Sequence, residues 1–564
     1  MKQLLQNMRD GKTIVVEVPA PTPQRGQALV RVAASLVSAG TERMLVEFGE
    51  KSLVGKARSR PDLVRQVLDK ARREGLVPTL QATFNRLDQP MPLGYSSAGT
   101  ITALGEGMEG FKLGQRVACA GGGYAVHAEY NLVPRSLLTP LPEGVDFESA
   151  AFTTLGAIAL HGFRLTEARV GENVAVIGMG LLGLLAGQMA AAAGCRVLGI
   201  DTDARRVELA GTLGLMAALR GQAVEAGGAF TAGQGFDVVL ICADTPTNDP
   251  VELAGAIARD RDRVVATGAV GLTFPRKVYY EKELSFVNSR SYGPGRYDPS
   301  YEEQGRDYPI GYVRWTEGRN FQAVVSLLES GKLDVKPLIS HRFPIEQAAE
   351  AYALITGKKK TPFLGVLLTY PQAEGLPATR IALTTPDAAS RRGEPAGVHL
   401  GVLGAGLFAN ATLLPAIKKL KDIELVGIAS AGGLHAQHSG SKFGFAYAAS
   451  SDEELLNDPK INTIAILTRH ATHAGLVIRA LGAHKHVFVE KPLAITPAEL
   501  DEVLAALSTA DTLLLTGFNR RFAPLAGELA GFLSDRAEPL HAHYRINAGY
   551  IPLTHWTQDP ALMR

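Results

Sequence analysis

The sequence predicts an α/β protein: a β-barrel unit followed by two doubly wound domains in tandem, the second running into an incomplete α+β domain. Three observations carry this reading. Short β-rich runs broken by Gly and Pro fill residues 13–36 and 93–140; near-continuous apolar strands then alternate with helical stretches twice over; and each of those two series opens on a glycine-rich turn.

In chain order, TIVVEV, ALVRVAA, GTITALG and RVACAG read as strands of the barrel, which is placed at 1–146. Within it, residues 51–76 carry eight Lys or Arg against three acids, with Leu63, Val64, Val67, Leu68 and Ala71 at helical spacing. That pattern is a basic amphipathic helix, either a solvated cover for the core or a phosphate-binding element. NVAVIG, CRVLGID, FDVVLICAD and DRVVATGAV then read as buried parallel strands of a domain at 147–300. Residues 301–370 are assigned to a substrate loop and a return to the barrel, and the Pro- and Ala-rich stretch 371–397 to a linker. VHLGVLGAG, IELVGIAS, INTIAILT, HVFVEKP and TLLLTGF build the second doubly wound domain at 398–522, and 523–564 begins a further domain that stops short.

Composition narrows the function classes. A net charge of +2 and 20% charged residues give no footprint for nucleic acid or a membrane surface. The three cysteines, Cys119, Cys195 and Cys242, are too far apart for a disulfide framework or a cysteine-rich zinc site, and the N-terminus lacks the apolar run of a signal peptide. A cytoplasmic protein acting on a small molecule is expected, with a homo-oligomer possible.

The first glycine turn is Gly178, Gly180 and Gly183, placed directly after an apolar strand and opening an uncharged helix. Such a turn brings backbone amides and a helix N-terminus to a pyrophosphate, which makes this a Rossmann dinucleotide loop. Asp201 closes the next strand, 18 residues beyond Gly183, where a carboxylate accepts ribose hydroxyls and repels a 2′-phosphate. NAD is therefore expected at the first site. The second turn has Gly404 and Gly406 with Ala409 in the third place, and Ser430 stands where the acid would be, so NAD or NADP remains open there.

GTE (Gly40–Glu42), PLGYSSAGTI, GYAVHAEY and the first glycine turn make residues 1–370 resemble the medium-chain dehydrogenase/reductases, with a GroES-like barrel and a Rossmann domain. The zinc ligand positions of that family fall on Ala39, Tyr95 and the region Phe152–Gly156, so the resemblance implies no catalytic zinc and no other metal. Without a Lewis acid, a hydrogen-bond donor must meet the reacting oxygen. Tyr95, Ser96 and His161 are the candidates. Tyr95 takes the ligand position, its alternative being a phenol packed at a domain interface; His161 reads as an ordinary helix histidine. The Arg- and Tyr-rich stretch 286–320 suits a ligand bearing phosphate or sugar, or an oligomer interface.

From His399 onward, GVLGAG, TRHATH (Thr468–His473), GAHKHVFVEKP and GFNRRF resemble the Gfo/Idh/MocA oxidoreductases, which act on sugars and cyclitols. The resemblance implies catalytic roles for Lys491 and His473, and cofactor contacts from Gly404, Gly406, Ala409, Thr468 and Glu490. It also implies a sheet domain of more than a hundred residues whose Asp and His complete the site, whereas 42 residues follow Phe522. The tandem resembles bacterial bi-domain oxidoreductases of polysaccharide or nucleotide-sugar metabolism. The implied reaction is hydride transfer between NAD(P) and a secondary alcohol or carbonyl; reduction of an activated C=C bond, and a nucleotide-binding scaffold with a non-catalytic second half, are the alternatives.

Overall fold

The computed structural model describes residues 1–59, 64, 88–372, 375, 377–383, 397–546, 551 and 558. Two compact units emerge. The first holds residues 1–17, 23–59 and 90–372; the second holds Val18–Thr22, Asp88, Gln89 and the described residues from Pro377 onward.

The first unit begins with strands β1 (Lys2–Gln6), β2 (Thr13–Glu17), β3 (Gln27–Val37), β4 (Met91–Pro92), β5 (Ser96–Leu104), β6 (Arg116–Ala120), β7 (Tyr130–Pro134) and β8 (Leu138–Pro140). The four runs read as barrel strands fall on β2, β3, β5 and β6. Long β3 is the hub: it pairs antiparallel with both β5 and β7 because its residues are buried on both faces. After the α/β part the chain returns as β15 (Ile339–Pro344) and β16 (Gly365–Thr369), and β16 joins β3 in register Val366 to Val37.

Between them, β9 (Asn173–Ile177), β10 (Arg196–Asp201), β11 (Met216–Leu219), β12 (Phe236–Ile241), β13 (Ala258–Ala266) and β14 (Ser285–Asn288) form a parallel sheet in the order β11-β10-β9-β12-β13-β14. Alternate residues of β9 divide between two cores. Val174 and Val176 pack with Leu184 and Leu185 of the following helix, while Ala175 and Ile177 face Val239, Val251 and Ala254. A strand buried on both faces must be apolar throughout, which is why these segments read so clearly.

The second unit repeats the plan with β17 (Arg380–Ala382), β18 (Val398–Leu403), β19 (Ile423–Ala429), β20 (Tyr447–Ala449), β21 (Thr463–Ile466), β22 (His486–Glu490) and β23 (Leu514–Gly517), ordered β17-β20-β19-β18-β21-β22-β23. β17 is a correction. The stretch read as linker contributes an edge strand, antiparallel to β20, because Ile381 supplies an apolar contact and Arg380 lies over the Tyr447 ring. Three residues are too few to show a period, so nothing in the residue pattern announced it. Most of the linker and of the basic segment 51–76 lies outside the described residues, as does most of the stretch after Tyr544. No helix among the described residues is long and apolar enough to cross a membrane.

Candidate functional site

The first glycine turn sits at the carboxyl end of β9, the central strand, where the order of a doubly wound sheet reverses. Gly178 has φ +96°, and a Cβ there would stand 2.6 Å from the Ala243 amide nitrogen. Gly183 is more constrained still: its Cβ would lie 1.8 Å from the Gly178 carbonyl oxygen, so only glycine lets the helix Leu181–Ala192 start this close to the turn. Gly180 caps that helix and faces open space apart from the Arg206 guanidinium 3.8 Å away. The turn is therefore tight where it meets the sheet and open where a pyrophosphate would approach.

Asp201 closes β10 beside it. One carboxylate oxygen accepts from the Met179 amide at 2.7 Å and the other from the Asp203 amide at 2.8 Å, with Arg206 Nη1 at 3.5 Å. The acid picked out for the ribose thus also anchors the phosphate loop. Arg206 was not singled out in the sequence, and nothing in its spacing marks it.

Tyr95 leads into β5 and is part-buried. Its hydroxyl donates to Ser38 Oγ at 2.7 Å, and the Thr41 side chain hydrogen-bonds it as well. Burial pushes the phenol up to about 12, eased by Ser38 and reinforced by the Glu42 charge. Ser96, another candidate, is buried and spends its hydroxyl on the Ala151 carbonyl at 2.6 Å. His161 lies on the helix Thr153–Thr166, where burial and then Arg164 hold its pKa below the usual histidine value. At the remaining zinc positions, Ala39 offers a methyl group and Thr154 donates to the Cys119 carbonyl at 3.4 Å. Among the described residues there is no group of three or more His, Cys, Asp or Glu placed to hold a metal.

The Arg- and Tyr-rich stretch is largely tied internally. Arg296 pairs with Glu302 at 2.5 Å, Arg319 pairs with Asp307, and Arg164 and Arg314 lie against the Trp315 ring at 3.3 and 3.8 Å from its centroid. Two of the guanidinium forks expected to meet a ligand therefore hold the loop to itself.

In the second unit Gly404 takes φ +104°, and a Cβ there would stand 2.6 Å from the Leu467 carbonyl oxygen, while Gly406 has nothing within 4 Å. Buried Ala409 fills the third position. The following turn is π-helical over Ala409–Leu413, a local form often found at functional sites. Asn410, missed in the sequence, donates to the carbonyls of Ala405 and Gly406 at 2.8 and 3.0 Å and accepts from Ser439, which fastens the loop. Ser430 accepts from the Ala436 amide at 3.0 Å.

Thr468, Glu490 and Lys491 stand at the carboxyl ends of the neighbouring strands β21 and β22, and Lys491 is exposed. Glu490 Oε2 accepts from the Lys491 amide at 3.3 Å. His473, expected to be catalytic, is wholly buried, with Nδ1 2.7 Å from the Pro492 carbonyl oxygen and Nε2 3.1 Å from that of Thr468, so both ring nitrogens lie against backbone.

Three family descriptions match stretches of the chain: an alcohol dehydrogenase GroES-like domain over residues 70–143, a zinc-binding dehydrogenase domain over 182–303, and an NAD-binding Rossmann domain of the Gfo/Idh/MocA oxidoreductases over 398–518. They define an oxidoreductase that acts on CH–OH groups with a nicotinamide cofactor. More particularly, the first part of the chain matches the two dehydrogenase domain descriptions and the second part the Gfo/Idh/MocA Rossmann description. Sorbitol dehydrogenase of Halalkalibacterium halodurans is 29% identical over 316 residues, covering 50% of this chain and 83% of that protein. Myo-inositol 2-dehydrogenase of Thermotoga maritima is 33% identical over 125 residues, 22% of this chain and 37% of that protein. Among solved structures, galactitol-1-phosphate dehydrogenase from Escherichia coli shares the fold at a TM-score of 0.50 and 22% identity, over 65% of this chain and all of that one.

Proposed function

We propose that the first unit transfers hydride between NAD and a secondary alcohol or carbonyl of a sugar derivative, without catalytic zinc, and that the second unit carries a nucleotide site of related chemistry. The observation that carries this is the set of residues at the zinc positions: a methyl group, a phenol bonded to Ser38, and threonines offer no thiolate or imidazole for a tetrahedral ion. Zinc does not fit those residues.

NAD, when bound, accepts or returns the hydride. Gly178, Gly180 and Gly183 give its pyrophosphate a close approach to the backbone, and the Asp201 carboxylate holds the loop while disfavouring a 2′-phosphate. Tyr95 remains protonated at neutral pH, so its O–H, exchanging its bond to Ser38 for one to the substrate, can donate to a carbonyl oxygen as negative charge develops there; in the reverse direction the phenolate so formed takes the alcohol's proton back. In the second unit Gly404, Gly406 and Ala409 line the nucleotide loop, with Thr468 and Glu490 beside it; Lys491 is the group free to meet a substrate hydroxyl, and His473 fixes the two turns that flank it.

The test is NADH formation at 340 nm with NAD and a panel of sorbitol, xylitol, galactitol 1-phosphate and myo-inositol, with and without a zinc chelator. Turnover of at least one polyol, insensitive to chelation and lost in Tyr95→Phe or Lys491→Ala, is the expected result. Turnover abolished by the chelator and restored by zinc would overturn the zinc-free reading.

A further inference from the structure

Glu42 was part of a sequence motif without a role, and the structure surrounds it with donors. It is 1% exposed, in the first turn of the helix Thr41–Glu50. Its Oε1 accepts from the Ser38 amide at 2.8 Å; its Oε2 meets His127 Nε2 at 3.1 Å and accepts from the Tyr352 hydroxyl. His127, 0% exposed, reaches Ser35 Oγ through Nδ1 at 2.7 Å, and Ser35 meets the Tyr370 hydroxyl at 2.6 Å.

Ser35, His127 and Glu42 look superficially like a nucleophile, base and acid. All three are sealed from solvent, so no substrate reaches Ser35, and hydrolysis is excluded by access. What the network does touch is the turn 38–42, which carries both hydroxyls bonded to Tyr95. Glu42 ties one end of that turn to its own helix and the whole turn, through His127, to Ser35 of β3 and to Tyr370 just past β16. A buried carboxylate with three donors has few alternative positions, so the turn it holds has few as well.

We propose that Glu42 is a positioning residue of the Tyr95 centre, acting through the Ser38–Thr41 turn, with His127 as the group that fixes Glu42. This rests on the reading of Tyr95 as the proton donor. The charged and titratable groups facing Glu42 are His127 from the 121–130 segment, Tyr352 from the helix Ala348–Ile355, and Tyr370 and Tyr95 beyond them. Glu42→Gln keeps the size and the acceptor for Ser38 but removes the charge and one acceptor, and so separates charge from shape.

The experiment labels the full chain with ¹³Cζ-tyrosine, Tyr95→Phe identifying the Tyr95 resonance. In Glu42→Gln that resonance is expected to move and its titration to fall to lower pH, while Tyr312, which is 90% exposed, stays put. With NAD and sorbitol, kcat is expected to fall about 10- to 100-fold with KM little changed, a loss on the scale of an impaired proton donor. The double variant with Tyr95→Phe is expected to be no slower than Tyr95→Phe alone. Tyr352→Phe, which removes one donor and keeps the charge, is expected to move the resonance in a fold that stays intact, and it decides the matter if Glu42→Gln does not fold. An unmoved Tyr95 resonance in the folded variants, or losses that add in the double variant, would overturn the proposal. If no polyol is turned over by the native chain, the functional reading falls while the resonance still judges this inference.

Discussion

The Asp201 carboxylate accepts the backbone N–H of Met179 at 2.7 Å, so the acid that ends β10 is bonded to the glycine loop that ends β9. Loop geometry and the proposed selection of cofactor are thereby carried by one side chain. Asp201→Ala should weaken NADH binding at the first loop and also destabilise the unit by about 1–3 kcal/mol, the usual effect of leaving a buried donor unpaired. Fluorescence titration of NADH and thermal unfolding check the two parts separately; tight binding with an unchanged Tm would show the bond to be dispensable.

Glycines of the two loops should respond differently to an added methyl group. Gly183→Ala places a Cβ 1.8 Å from the Gly178 carbonyl, so the helix must move away from the loop, with lost NADH binding and a Tm lower by several degrees. Gly406→Ala meets nothing within 4 Å and should leave Tm where it is, with any effect confined to nucleotide affinity. Calorimetry of both variants with and without NADH makes the comparison.

Glu317 is fully buried and neither carboxylate oxygen has a hydrogen-bond partner; burial, then the Glu302 charge, push its pKa up to about 9 against the relief from Arg296. A raised pKa favours the protonated native state. Its contribution is whole below the ordinary carboxylate range and is lost as pH rises towards 9, because the unfolded chain ionises first. Glu317→Gln should therefore gain stability relative to the native chain as pH increases from 5 to 9. Urea unfolding across that range is the measurement, and parallel pH profiles would contradict the assignment.

His473 sets its two ring nitrogens against carbonyls that belong to different turns of the proposed second nucleotide site. His473→Ala should lower stability by about 1–3 kcal/mol and weaken nucleotide binding there. His473→Gln, with one amide that can reach only one carbonyl, should recover part of the loss. Nucleotide titration of a chain whose first loop is blocked by Gly183→Ala isolates this effect.

How far the fold was legible follows from burial. The central strands Asn173–Ile177 and Val398–Leu403 are covered on both faces, and an uninterrupted apolar run ahead of a glycine turn announces them. Edge strands such as Arg380–Ala382 and Met216–Leu219 are short and half exposed, so they carry no comparable pattern. Site residues divide the same way. Gly178 and Gly183 were legible because backbone geometry leaves no other choice, and Asp201 because it follows them at a set distance along β10. Asn410 and Arg206 were not, since each acts on backbone or side chains brought near only by folding.

The sequence by itself determined the tandem of glycine-rich turns, since steric demands on a few glycines and the apolarity of doubly covered strands are local properties. Tertiary structure decided what surrounds each reactive group. It closed His473 between two carbonyls, spent Ser96 on a backbone oxygen, and set Glu42 beneath the turn that holds Tyr95, through partners as distant as Tyr352. The physical reason is that hydrogen-bond partners and desolvation depend on which segments meet in space, and neither residue type nor spacing along the chain records that meeting.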